Sequence, residues 1–480
     1  MDILYGSAFE IALQIKAKKV SSREIVSFYL DRIEKFNSEL NAVVQLDIER
    51  ALARADAADA AALAGESWGS LHGLPLTIKD AYLTEGIVTA NGIPALEGNV
   101  PNRNADVVQK YIDAGAIILG KTNTPLASGD YQSFNDIYGT TNNPWDLNLT
   151  CGGSSGGAGA ALAAGMTPLE LGGDIGGSIR IPSHLNGVYG HKPSHGIVSQ
   201  RSLVDWPDQI AEQDLWVVGP MAVCAQDLRK ALQLLVGPVP EKALAWRVEL
   251  PPPRTKDIRQ LRVATYFENP DYPIDHEVKD QLESVAVSLE NAGAQVSREV
   301  GPDIDFQENL NVYLKIMYSH MDENVPEEVR KMMAQALDYL PRSEEIVAMF
   351  GGTVANWNRV NERRLQLQRK WTEFFESYDV LLAPILPLPA FKHDHSPILV
   401  RRWNVNGEDR SAMIDTLFWA AFSLLTYLPA TAVPAGRTQS QNLPVGVQIV
   451  GPYLEDQTPL EVAIMLEECH QSFEPPSAYA

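Results

Sequence analysis

A layered α/β/α fold, with a large mixed and mostly parallel sheet flanked by helices, is what the sequence predicts. Three observations predict it. Helical patterns alternate with short apolar runs through residues 21–119. A helix of small residues, Ala158 to Ala164, directly follows a Gly-rich loop. Apolar strands return late in the chain, at Val380–Pro384 and Val445–Val450, after a long charged stretch.

The elements follow in order. Ser21-Ser22-Arg23-Glu24 reads as a capping box opening a helix to about Phe36, with Ile25, Phe28, Tyr29 and Ile33 as its apolar face. Ala42–Leu46 is a short strand, and Asp47 to Leu63 is Ala-rich and helical. Strand Leu74–Lys79, helix Ala105–Ala114 and strand Ala116–Leu119 come next. Composition changes at Gly237-Pro238-Val239-Pro240. From there to about Lys370 the chain is charged and reads as a helix-rich inserted or covering layer. Thr416 to Gly436 is uncharged, but Pro429 and Pro434 interrupt it. A buried helix from Asp415 to Thr426 and a strand from Ala430 to Val433 fit better than a membrane span.

The chain has 480 residues, beyond the roughly 250–300 at which one hydrophobic core usually stops growing. Length alone allows one large domain with insertions or two domains. The net charge of −22 argues against a nucleic-acid surface, which needs clustered Lys and Arg. Three sparse cysteines, Cys151, Cys224 and Cys469, point to reduced thiols and a cytoplasmic setting. Met1–Tyr5 shows no secretory pattern.

Some motifs dissolve on inspection. Gly115 to Thr122 matches the Walker A pattern, yet its middle residues are Ala-Ile-Ile-Leu, a strand rather than a phosphate-cradling loop. His184, His191 and His195, like His393 and His395, match no standard zinc spacing, so no metal and no cofactor are assigned. Cys151 reads as a small buried residue rather than a nucleophile.

The strong signal is a set of three residues. Lys79 ends the apolar run from Gly73, Ser154 sits in Gly152-Gly153-Ser154-Ser155-Gly156-Gly157, and Ser178 sits in Gly173-Asp174-Ile175-Gly176-Gly177-Ser178-Ile179-Arg180. Tight packing explains the glycines but neither the two serines nor the terminal lysine. A turn before Ser178 would present the backbone N–H groups of Ile175, Gly176, Gly177 and Ser178 as an oxyanion hole. A serine nucleophile needs a base, and neither loop holds histidine. Lys79 can serve if neutral, which from a reference pKa of about 10.4 costs about 4.6 kcal/mol at pH 7 and so requires burial. Ser154 can relay the proton from Ser178 to Lys79 and return it to the leaving amine.

These motifs, with Gly120–Pro125, Asn143-Pro144-Trp145-Asp146 and Gly190-His191-Lys192-Pro193, resemble the amidase signature family, in its bacterial stand-alone subset. The resemblance is densest from Gly73 to Ser199 and reaches nearly the whole chain. It implies a single domain over 1–480, with a signature core at 70–200, a helix-rich cover at about 240–370 and core strands returning at 378–452. It implies a Ser-cisSer-Lys triad of Ser178, Ser154 and Lys79, with a cis bond at Gly153–Ser154 and support from Ser155, Asp174 and Arg180. The acyl pocket would draw on Leu126 to Asn135, with Leu126, Tyr131 and Gln132 as candidates.

The chain departs from the family pattern at Gly173, where Thr or Ser is usual, at Asn186, where Cys is common, and at His191, where Leu is common. The implied activity is hydrolysis of small amides through an acyl-enzyme, without cofactor, nucleic acid or membrane. A homodimer, an amidotransferase A-type subunit of a tRNA-amidating complex, and a carbamate or nylon-oligomer hydrolase stay open. The charged stretch from Glu241 to Lys370 and the missing Cys pattern near Asn186 weigh against the amidotransferase. A binding protein on a dead hydrolase scaffold is disfavoured by the intact trio.

Overall fold

Ser21 accepts from the Glu24 N–H and Glu24 returns a bond to the Ser21 N–H, so the capping box opens a helix. That helix runs Ser22–Leu40, four residues past the expected end, and closes at Asn41 in the left-handed region. Ile25, Tyr29 and Ile33 are buried, and Phe28 is half-buried. The structure is a computed structural model describing residues 4–204, 211–319, 331–332, 334–335, 337–338, 340–341, 343–349 and 352–480.

A three-stranded sheet follows from the early strands: β1 Val43–Leu46, β2 Pro75–Lys79 and β3 Ile117–Thr122. The central β3 pairs antiparallel with β1 and parallel with β2. The Walker-like segment is therefore strand, as its apolar middle required. Lys79 lies at the end of β2, opposite Thr122.

The main sheet has eight strands: β4 Leu169–Asp174, β5 Tyr189–Lys192, β6 Val217–Ala222, β7 Arg262–Thr265, β8 Gln295–Ser297, β9 Val380–Pro384, β10 Ala430–Arg437 and β11 Pro444–Val450. Their order is β8-β7-β9-β11-β10-β5-β6-β4. The fold is α/β with a large mixed sheet, as expected, but the expected parallel majority is not there. Only β7–β8 and β7–β9 run parallel; the other neighbours are antiparallel. The reason is physical. The strands β4, β5, β6, β9 and β11 are buried at every position, polar residues such as Glu170, His191 and Gln448 included, so polar and apolar residues do not sort between an inner and an outer face. Burial on both faces erases the alternation that usually betrays antiparallel strands.

The charged stretch does carry helices, among them His276–Asn291, Phe306–Ser319 and Val354–Ser377. It also supplies β7 and β8, which extend the main sheet at one end, so the segment is sheet as well as cover. The uncharged stretch near residue 420 forms the helix Ala412–Leu424, buried along its length, followed by β10. Among the described residues no helix is long and apolar enough to cross a membrane.

Candidate active site

Two strand ends and two loops build the site. Lys79 closes β2, and its Nζ lies 2.6 Å from Ser154 Oγ. Both side chains are fully buried. The Gly153–Ser154 peptide bond is cis. The helix Gly156–Ala163 starts directly after this loop and is buried at all eight positions, which its Gly and Ala residues permit.

Ser178 follows β4 and is 4% exposed. Its carbonyl accepts from the Ser155 N–H at 3.2 Å, tying the two loops together. Ser155 Oγ in turn accepts from the Gly173 N–H at 3.4 Å. The Asp174 carboxylate gathers the turn: it accepts from the N–H groups of Gly177 at 2.8 Å and Ile179 at 3.1 Å, and from Arg180 Nε and Nη2 at 3.0 Å each. Arg180 Nη1 reaches Gln448 Oε1 at 2.7 Å and Ser423 Oγ at 3.1 Å, so later chain braces the loop. Burial alone would raise the Asp174 carboxyl; the Arg180 guanidinium, Lys192 and the Gly177 N–H together outweigh it and hold the group below its ordinary value.

The expected oxyanion set needs one adjustment. The Gly177 N–H is already donated to Asp174, so it holds the turn rather than facing a substrate. The N–H groups of Ile175, Gly176 and Ser178 have no protein acceptor among the described residues. The Ile175 carbonyl accepts from the Tyr313 hydroxyl at 2.6 Å, a contact from the charged segment that no local pattern signals.

The supporting strands carry buried ionisable groups. Glu170 accepts from the Thr77 hydroxyl at 2.6 Å, joining β4 to β2, and burial pushes its carboxyl up to about 7. Lys121 donates to Tyr82 O at 2.6 Å and Thr84 Oγ1 at 2.8 Å, and burial pushes its amine down to about 8. Cys151 is buried and its thiol is pushed up to about 12 by burial, which makes it a packing residue rather than a thiolate.

The three pocket candidates separate. Tyr131 is buried, and its hydroxyl lies 3.5 Å from where a Cβ on Gly176 would sit. Gln132 spends both ends of its amide on the Asp394 backbone, at 2.7 and 3.1 Å, so it clamps a neighbouring loop. Leu126 is 56% exposed. Leu417, which sequence reasoning did not single out, also borders Gly176, 3.4 Å from the same Cβ position.

His184 and His191 have structural partners. His184 sits between the backbones of Gly446 and Leu388, and His191 between Thr431 and Asp456. Among the described residues no group of three or more His, Cys, Asp or Glu could hold a metal ion.

The Amidase family model matches residues 24–460. The A-type subunit of glutamyl-tRNA(Gln) amidotransferase from Synechococcus sp. (strain CC9902) is 33% identical, over 95% of this chain and 94% of that one. Indoleacetamide hydrolase of Bradyrhizobium diazoefficiens is 32% identical, over 96% of this chain and 86% of that one. Among solved structures, a bacterial aryl acylamidase of the amidase signature family superposes with a TM-score of 0.80 at 25% identity, covering 99% of this chain and 97% of that one. With a family match across nearly its whole length and relatives that share a third of its residues, this chain belongs to the amidase signature family of enzymes acting on C–N bonds.

Proposed function

We propose that this protein hydrolyses small amides through an acyl-enzyme, with Ser178 as nucleophile, Ser154 as proton relay and Lys79 as general base. The observation that carries the reading is the 2.6 Å contact between Lys79 Nζ and Ser154 Oγ inside a fully buried site. Burial disfavours an ammonium, as a base role requires. Ser178 attacks the amide carbonyl while its proton passes to Ser154 and that of Ser154 to Lys79. The developing oxyanion meets the N–H groups of Ile175, Gly176 and Ser178. The reverse transfer protonates the leaving amine, and water then repeats the sequence on the acyl-enzyme. No step needs a cofactor. The buried Tyr131 and Leu417 beside Gly176 suit an aromatic or compact acyl group. The arylacetamide and aryl-acylamide chemistry in the names of two similar proteins supports the same substrate class.

The test is a slow acylating inhibitor followed by peptide mass spectrometry, together with Lys79→Ala assayed on an anilide. The adduct is expected on the peptide bearing Ser178, and Lys79→Ala is expected to lose most amide hydrolysis while keeping its fold. An adduct on Ser154 with Ser178 free, or an undiminished Lys79→Ala, overturns the assignment. A second reading has a specific observation behind it, the 33% identity to one chain of an amidotransferase. It requires glutaminase activity that appears only with a copurifying partner, and strong turnover of an anilide by the isolated chain counts against it. The absence of any labelling by a fluorophosphonate would favour a binding protein instead.

A further inference from the structure

Gly173 leaves room beside β4, and the structure shows what fills it. A Cβ on Gly173 would lie 2.5 Å from Trp216 Cζ2, 3.0 Å from Trp216 Cη2 and 2.5 Å from the Tyr82 hydroxyl. No side chain fits at 173 while Trp216 and Tyr82 keep these positions. The same indole ring lies over Lys79, with Nζ 5.7 Å from the ring centroid. Trp216 is 6% exposed. Its backbone is pinned by Gln200, whose Nε2 donates to Trp216 O at 2.5 Å and whose Oε1 accepts from the Gln213 N–H at 2.9 Å. Two residues earlier, Asp214 accepts from Arg364 at 2.6 and 2.7 Å and from the Tyr427 hydroxyl at 2.6 Å. The indole N–H has no acceptor among the described residues, so packing alone holds the ring.

We infer that Trp216 is a positioning residue for Lys79: its indole fills the volume that Gly173 leaves free, keeps water from the lysine amine and directs that amine at Ser154. The inference rests on Lys79 serving as the base. Two effects of the ring oppose each other. Its face attracts an ammonium, but 5.7 Å is near the outer limit of about 6 Å for such contacts. Excluding water disfavours the ammonium, by up to about 3–5 pH units for full burial. Exclusion wins, so emptying the site should stabilise the charged lysine and weaken the base.

The titratable groups on the elements around Lys79 hold further partners of their own. Asp80 accepts from the Ala90 and Asn91 N–H groups, and Tyr82 donates to Gly172 O. Lys121 holds Tyr82 O and Thr84, Glu170 holds Thr77 and the Leu171 N–H, and Asp174 holds Arg180. Asp214 is bound to Arg364 and Tyr427. None of these bonds uses the Trp216 side chain, so replacing it leaves them in place.

The test joins a pH profile to a double-mutant cycle. In Trp216→Ala the acid limb of kcat/KM on an anilide should move up by about one pH unit, with about a tenfold loss at pH 7. Trp216→Phe should restore most of both, because the indole N–H is not used. Gly173→Ser should lower Tm by several degrees in the parent chain and by less beside Trp216→Ala, which removes the clash with the indole and leaves that with the Tyr82 hydroxyl. If Trp216→Ala fails to fold, Trp216→Leu and the Gly173→Ser/Trp216→Ala pair carry the same readouts. A folded variant with an unmoved acid limb overturns the inference, as does an equal Tm loss for Gly173→Ser in both backgrounds. Lys79→Ala separates the two levels. If it stays active, the base reading fails; if it is inactive while the Trp216 variants keep the parent profile, only the positioning role fails.

Discussion

Around Ser154, glycines press against main chain; around Ser178, a buried carboxylate gathers main-chain amides. A Cβ on Gly153 would lie 2.6 Å from Asp130 O and 2.7 Å from the Gln132 nitrogen, and one on Gly157 2.8 Å from both Ala42 O and Asn123 O. The Ser154 loop is thus fixed by contact, with partners drawn mostly from the first 190 residues. The Ser178 loop is fixed by charge. Asp174 holds the Gly177 and Ile179 N–H groups together with Arg180, and Arg180 is braced by Ser423 and Gln448 far along the chain. A loop held by contact fails when atoms are added. A loop held by charge fails when a charge is removed, and it answers to pH.

The predictions run from the largest loss of turnover to the smallest. Asp174→Ala should do the most harm. It frees the turn that presents Ser178 and leaves Arg180, 1% exposed, without its carboxylate. Stranding a buried charge typically costs about 3–5 kcal/mol. Urea denaturation should show a loss of that order and the anilidase assay almost no activity; a stable, active variant would show that the loop does not depend on charge. Ser154→Ala should come next, because in the proposed mechanism it removes a relay rather than a scaffold. Relay protonation contributes about 10²–10⁴-fold, so kcat for an anilide should fall by that order. The matching nitrophenyl ester, whose leaving group departs unprotonated, should lose much less. Equal losses for both substrates would leave Ser154 a purely structural part of the loop.

The contrast between the loops also decides what could be read from the sequence. The local elements were legible because their signals are local. The capping box at Ser21 and Glu24, the apolar run ending at Lys79 and the Gly-rich turns each mark themselves within a few residues. Strand direction was not, because strands buried on both faces look alike whichever way their neighbours run. The charge-held loop was legible only in part. Asp174 and Arg180 lie in the motif, but Gln448, Ser423 and Tyr313 come from distant elements that no local pattern marks. Gly173, Asn186 and His191 are each explained the same way, through a partner remote in sequence. Gly173 makes room for Trp216. Asn186 Nδ2 donates to Cys151 O at 2.7 Å, and His191 bridges Thr431 and Asp456.

Gly157→Ala probes the contact-held loop directly. The added methyl must displace the main chain at Asn123 or Ala42, and overpacking of this kind typically costs about 1–3 kcal/mol. Turnover should fall modestly as the loop shifts, and a crystal structure should show that shift. A fully stable variant with the parent geometry would mean the loop has slack that the close approach does not suggest.

The last prediction turns on Lys192, which has the smallest expected effect on turnover. It lies in β5, 1% exposed, and its Nζ donates to Pro193 O at 2.9 Å. Burial pushes its amine down to about 7; Arg180 adds to the shift, while Asp174 and Asp456 oppose it. It therefore belongs to the charge cluster behind the Ser178 loop. Its folded value lies below the ordinary 10.5, so between about pH 7 and 10.5 the unfolded chain holds a proton that the folded chain has released. Stability contributed through this group rises with pH across that window. Below about pH 7 both states carry the charge, and the penalty of burying it is constant. Lys192→Met removes the ammonium, so its advantage over the parent should be greatest below pH 7 and shrink steadily toward pH 10. Gly157→Ala, acting through contact, should show a deficit that does not vary over the same range. Urea denaturation of both variants and the parent at pH 6, 8 and 10 separates the two behaviours. A Lys192→Met difference that stays flat with pH would mean that this lysine keeps its proton in the folded chain throughout.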